Sequence, residues 1–208
     1  MRKRLCLDFS FDRQAVIITI ASTLLLMVDE YFTLTPVKVL DRTLLYLIIP
    51  VGIILIVFRQ PMRDFGFQLG DWQAGAVLTL GSALILAPIL WFVVQGSPAM
   101  VDYYRHAPLT SRLFWFTLLE LIGWEFFFRG FILFGYQPAF GDHALWLQAV
   151  PFALAHLGKP GLETLTTLFG GFFFGWVARR TRSVIYPVLI HVFVALFTRV
   201  AAISAAAH

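Results

Sequence analysis

The chain has a single cysteine, Cys6, so no intrachain disulfide can form and the redox compartment cannot be read from it. Charge is scarce as well. Asp, Glu, Lys and Arg supply 13% of the 208 residues against 59% hydrophobic, and the mean hydropathy is +0.80, which excludes an ordinary soluble globular domain. There is no repeat at a fixed period, no low-complexity tract and no second domain. No small-residue cleavage site separates the first apolar stretch from Asp29 and Glu30, so Met1-Arg-Lys-Arg is expected to flank an anchor that is kept. A His-Glu-x-x-His zinc motif is also missing.

What remains is a series of apolar runs. The sequence predicts an all-α, polytopic membrane bundle of about seven transmembrane helices, forming one domain over residues 1–208. The expected spans are Ala15–Val28, Thr43–Phe58 with Pro50 inside, Ala74–Val94, Leu113–Phe134, Ala144–Leu157, Leu162–Val177 and Val184–Val200. Pro50 removes a backbone donor and predicts a kink. Arg59–Trp72 reads as an interfacial loop, Gln95–Ser111 as a solvated connection and Gly135–His143 as a link full of helix breakers. Gly171-Phe-Phe-Phe-Gly175 is a small-xxx-small face on which a neighbouring backbone can approach closely.

The net charge of +4 comes from basic residues in short loops, where they orient helices and do not point to nucleic acid. With the N-terminus inside, Arg2, Lys3, Arg4, Arg13, Arg59, Arg63, Arg179, Arg180 and Arg182 fall in the cytoplasm. Lys38, Arg42, Arg105, Arg112, Lys159 and Arg199 fall outside. This distribution favours a cytoplasmic N-terminus, with the bilayer as partner; the expected setting is the plasma (inner) membrane of a prokaryote.

Inside the apolar runs stand few ionisable groups: Glu120, Glu125, Arg129, His156, Glu163 and His191. An ionised group at the centre of a membrane helix costs roughly 2.5–3.5 kcal/mol on insertion scales, so each needs a partner, water or a function. Glu125 and Arg129 share a helix face at i, i+4 and are expected to pair. Gathered in a wet hollow, these groups allow peptide hydrolysis. A glutamate with a histidine beside it takes a proton from water, and a second histidine donates to the oxyanion. No cofactor is required, although Glu125, His156 and His191 would also make a three-ligand zinc site. A transporter uses buried Glu and His too, but no paired inverted repeat is visible.

Glu125-Phe-Phe-Phe-Arg129-Gly130, then Phe152-Ala-Leu-Ala-His156, then His191 after Arg180-Thr-Arg-Ser-Val-Ile-Tyr-Pro187, resembles the ordered motifs of the CPBP family. That family holds the CAAX prenyl endopeptidases and the bacteriocin-processing or abortive-infection membrane proteins. The resemblance covers about residues 113–200 and implies an intramembrane endopeptidase acting on a peptide or protein substrate in the membrane. It also implies that Glu125 is base or orienter, Arg129 its structural partner, His156 co-base and His191 oxyanion donor. Two positions depart from the pattern. The family's first motif has adjacent glutamates, the first held to activate water, and here that position is Trp124. The last has asparagine or aspartate one turn after the histidine, and here it is Ala195. Glu120, one turn before Trp124, and Glu163, after the Lys159-Pro160 turn, are the candidate replacement carboxylates. A non-catalytic binding or immunity protein on the same fold is the alternative these departures motivate.

Overall fold

The computed structural model describes residues 10–106 and 109–207; Met1-Arg-Lys-Arg and Cys6 lie outside the described residues. All regular structure among them is helical. Helix α1 is Arg13–Tyr31, α2 is Lys38–Phe58 and α3 is Trp72–Gln95. A short helix, α4, is Pro98–Tyr104. Ser111–Glu125, Phe126–Phe134 and Gly135–Phe140 follow without interruption as one long helix, α5. Then come α6 at Ala144–Leu154, α7 at Gly161–Thr181 and α8 at Ile185–Ala205.

Helices form in all seven expected runs, but they are not equal. Four, α1, α2, α3 and α8, are long and apolar enough to cross a bilayer. Helices α5 and α7, which carry Glu120, Glu125, Arg129 and Glu163, are not among these four. With 11 residues, α6 rises only about 16 Å, well short of the roughly 30 Å hydrocarbon core. It ends two residues before His156, which is buried at the cavity.

Side-chain exposure follows the solvent expected of a membrane protein. In α3 only 11% of the most apolar window is buried, so Val77, Leu84 and Phe92 face outward onto lipid. The centre belongs to α5. Phe126, Phe127, Phe128 and Phe131 are fully buried, as are Glu125 and Arg129. Phe126–Phe134 has the wider π-helical hydrogen-bond pattern, a departure often found where a helix carries a functional group. Around Pro50, α2 is likewise π-helical on both flanks, at Leu44–Ile48 and Ile53–Phe58, which accommodates the missing backbone donor.

Connections alternate between two ends. At one end Arg180 Nη1 bonds Asp71 at 2.8 Å, Arg179 pairs with Asp142, and Val184 N–H donates to Gly66 O at 3.0 Å. At the other, Tyr104 meets Lys159 and Glu163. Asp71 also caps α3 by accepting from Ala74 N–H at 3.0 Å; that bond and Arg180 hold its carboxyl below the usual range.

Two connections differ from the sequence expectation. Gly135–His143 is not a link through most of its length: α5 continues to Phe140 with Pro138 inside it. Gly135 accepts from Gln14 Nε2 at 3.0 Å and packs on Ile18, so tertiary contact with α1 outweighs the breaker composition. The connection from Gln95 is not simply solvated either, since it contains α4. Ser97 caps that helix at Met100 N–H, and Met100 and Tyr104 are buried against Val94, Ala201 and Ala202.

The glycine face of α7 packs as its spacing predicts. A Cβ on Gly175 would lie 2.7 Å from Gln148 Nε2, and one on Gly171 would lie 2.9 Å from Phe152 Cδ1. These two glycines let α6 and α7 approach closely enough to set His156 beside the centre of α5.

Candidate active site

Glu125 closes the α-helical part of α5 and is wholly excluded from solvent. Its Oε1 accepts from His191 Nδ1 at 2.6 Å and from Arg129 Nη1 at 3.3 Å. Its Oε2 lies 3.2 Å from Arg129 Nε in an ion pair. The i, i+4 pairing is thus present, and a histidine 66 residues away completes it. Arg129 has further support: Nη2 donates to Gly171 O at 3.3 Å, and its guanidinium lies 3.9 Å from the Phe152 ring centroid. Gln148 Nε2 donates to the same Gly171 carbonyl at 2.8 Å.

Both imidazoles turn toward one space. Their ring centroids are 6.5 Å apart with planes 23° from parallel. His156 Nδ1 is 2.8 Å from Phe152 O; a carbonyl only accepts, so this nitrogen carries the proton and Nε2 holds a lone pair. The same reasoning applied to the Glu125 carboxylate places a proton on His191 Nδ1 and leaves His191 Nε2 as an acceptor.

His156 and His191 line a cavity of about 500 Å³ between α3, α4, α5, α6, α7 and α8, a size typical of ligand sites. Its walls are mostly apolar, with Leu121, Phe152, Phe173 and Phe174 near the histidines. Glu125 and Arg129 lie behind His191 and are not part of the lining. The structure therefore brings Glu125, Arg129, His156 and His191 together, in two layers.

The two candidate replacement carboxylates also line this cavity, and both are already engaged. Glu120 pairs with Arg42 of α2, whose guanidinium also lies 5.2 Å from the Trp124 ring centroid. Glu163 accepts from Tyr104 Oη at 2.8 and 2.6 Å and from Lys159 Nζ at 3.0 Å. Burial first, and then the Glu163 charge, raise the Tyr104 phenol above its ordinary value, which keeps it protonated as the donor.

Trp124 occupies the position of the missing first glutamate. It is buried, edge-on to His156 at a centroid distance of 5.2 Å, and its Nε1 has no hydrogen-bond partner among the described residues. Ala195 lines the cavity and offers no side-chain donor.

The arrangement does not fit zinc held by Glu125, His156 and His191. Both imidazoles keep a free Nε2, but Glu125 cannot join them as third ligand: it is taken by His191 Nδ1 and Arg129 and lies outside the cavity lining. No group of three His, Cys, Asp or Glu side chains among the described residues is placed to hold a metal.

Sequence reasoning missed Gln148, Arg42, Tyr104 and Arg199. Gln148 had a signal, being a polar residue within an apolar run, whereas the partners of Glu120 and Glu163 lie 78 and 59 residues away, with nothing local to mark them. No curated protein and no solved structure matches the chain significantly. Residues 106–197, which contain the α5 motif and both histidines, match the family model described as Type II CAAX prenyl endopeptidase Rce1-like, in keeping with the CPBP family that their ordered motifs resemble.

Proposed function

We propose that the chain is an intramembrane endopeptidase in which Glu125 and His191 act as a couple. The Rce1-like family is a protease family, and the observation that carries the reading here is the 2.6 Å contact from Glu125 to the back of an imidazole that lines the cavity. A water held between the histidines gives a proton to His191 Nε2 as its oxygen attacks the substrate carbonyl carbon. The tetrahedral intermediate then expels the amine, which leaves with that proton as the C–N bond breaks. Glu125 fixes the ring and stabilises the imidazolium, and Arg129 holds the Glu125 carboxylate in place through its ion pair. His156 Nε2, the second acceptor, positions the water.

This changes the role of His191 from oxyanion donor to base, because its free nitrogen is an acceptor in the tautomer that Glu125 imposes. The substrate is a peptide that enters from the lipid or the interface, and the chain sits in a prokaryotic plasma membrane with its N-terminus inside. The test is proteoliposome cleavage of a quenched-fluorescence peptide, S-farnesylated and unmodified, by the full chain and by His191→Ala. Cleavage of either peptide by the full chain and not by the variant supports the proposal; equal rates from both proteins overturn it.

A second reading has its own observation. Trp124 fills with an aromatic ring the position where the family carries the water-activating glutamate, and it abuts His156. On that reading the chain binds a peptide or protein without cutting it, and His156→Ala leaves the cellular phenotype intact while Gly171→Leu abolishes it.

A further inference from the structure

Among the described residues, charge matching around the cavity leaves one cation over. Of the ionisable groups at its wall, Glu120 is taken by Arg42, and Glu163 by Lys159 and Tyr104. Behind the wall Glu125 is taken by Arg129. Arg199 of α8 also lines the cavity, yet no carboxylate among the described residues lies within ion-pair distance of it. Its Nε is buried without a hydrogen-bond partner among the described residues. Its Nη1 donates to the carbonyl of Ala195 one turn back at 3.0 Å, and its guanidinium lies 5.5 Å from the Tyr104 ring centroid. These contacts hold the head group at the cavity wall.

The departure at position 195 matters for this residue as well as for the chemistry. A carboxylate there would stand at i, i+4 to Arg199 and pair with it; alanine leaves the guanidinium's charge available to a ligand. An unpaired guanidinium beside apolar walls is a strong attractor for a planar carboxylate. Eight residues of α8 separate it from His191, about 12 Å along the axis, which an extended peptide covers in about four residues.

We infer that Arg199 forms a carboxylate-binding subsite of this cavity, receiving an acidic group of the peptide about four residues from the reacting bond. The carboxylate is either the peptide's own C-terminus or an Asp or Glu side chain near it. The inference rests on the cavity being a peptide site, and its test reads binding, so that it stands or falls separately from cleavage.

The experiment measures fluorescence anisotropy of three labelled, S-farnesylated heptapeptides with the full chain in phosphatidylcholine nanodiscs. One peptide ends in a free carboxylate, one in an amide, and one in an amide preceded by aspartate. The His191→Ala background prevents turnover. The expected result is that at least one acidic peptide binds about tenfold more tightly than the neutral amide, that Arg199→Gln and Ala195→Asp each bring the ratio to within about twofold, and that Arg199→Lys keeps part of it. The free acid alone being preferred identifies a C-terminus, and the aspartyl amide alone a side chain. Unchanged melting of the variants separates this from misfolding. A ratio near one in the unmodified Arg199 background, no measurable binding of any of the three, or a preference that survives Arg199→Gln overturns the subsite. Added phosphatidylglycerol that abolishes the preference in the Arg199 protein would assign the cation to a lipid phosphate and overturn the peptide assignment. Absence of cleavage with the binding preference intact sinks the endopeptidase proposal alone.

Discussion

Glu125 Oε1 and His191 Nδ1 lie 2.6 Å apart, at a point where the carboxylate is fully buried and the imidazole reaches a cavity. The contact fixes which nitrogen of His191 is free. It also gives Glu125 a role that does not require it to touch water, which its position behind the ring would prevent.

Glu125→Gln keeps the shape of the side chain and removes its charge. The amide accepts a hydrogen bond less strongly and cannot stabilise an imidazolium, so turnover of a cleaved peptide should fall by about 10²–10⁴-fold while KM stays nearly constant. His191→Ala should lose as much, and the double variant little more, because the two residues act as a unit. Steady-state kinetics on the four proteins decide it; additive losses would contradict the coupling.

Arg129 poses a stability question before a catalytic one. It neutralises Glu125, donates to Gly171 O and stacks on Phe152, all without solvent. Arg129→Met should destabilise the protein by about 3–5 kcal/mol, because a buried carboxylate is left facing only a neutral imidazole. Arg129→Lys should recover only part, since an ammonium lacks the fork that serves Glu125 and Gly171 together. Thermal unfolding in detergent, followed by the fluorescence of the Trp124 region, measures the order; equal stability of the Lys variant and the parent protein would refute it.

How legible this site was depends on sequence separation. Glu125 and Arg129 are one turn apart, so helical geometry alone predicts their pair, and Phe152 precedes His156 by the same step. Glu125 and His191 share nothing local, and only the family-like order of motifs joined them before the structure did. Arg199 was assigned to orientation outside the membrane because a basic residue near the end of an apolar run has that as its commonest use; the structure places it within α8 at the cavity. The helix through Gly135 and Pro138 was hidden because breaker composition is a local signal, and the contact with Ile18 that overrides it is not. The short α6 was hidden for another reason: hydropathy sees an apolar run, but not that the helix stops at Leu154 after 11 residues.

Adjacent glycines on α7 give a controlled test of packing. A Cβ on Gly170 meets nothing within 4 Å, while one on Gly171 meets Phe152 Cδ1 at 2.9 Å and the Ala149 backbone at 3.3 Å. Gly170→Ala should therefore be neutral or stabilising by up to about 1 kcal/mol, from helix propensity. Gly171→Ala should cost about 1–3 kcal/mol by overpacking and reduce activity, because Phe152 carries the carbonyl that holds His156. Comparing melting temperatures and cleavage rates of the two variants tests the register of α6 on α7; a Gly171→Ala protein as stable as Gly170→Ala would show that register to be wrong.

Trp124 offers the sharpest separation between packing and chemistry. Its ring packs against Tyr46, Phe128, Phe152 and His156, while its Nε1 donates to no group among the described residues. If Trp124 contributes aromatic bulk alone, Trp124→Phe should keep cleavage within about threefold and lose about 1–2 kcal/mol of stability from the smaller ring. Trp124→Ala should lose about 3–5 kcal/mol, because it opens a void against the His156 ring. A Trp124→Phe protein that folds normally but cuts a hundredfold more slowly would instead make the indole N–H a donor to the reacting peptide, supplying from this position the hydrogen bond that Ala195 does not.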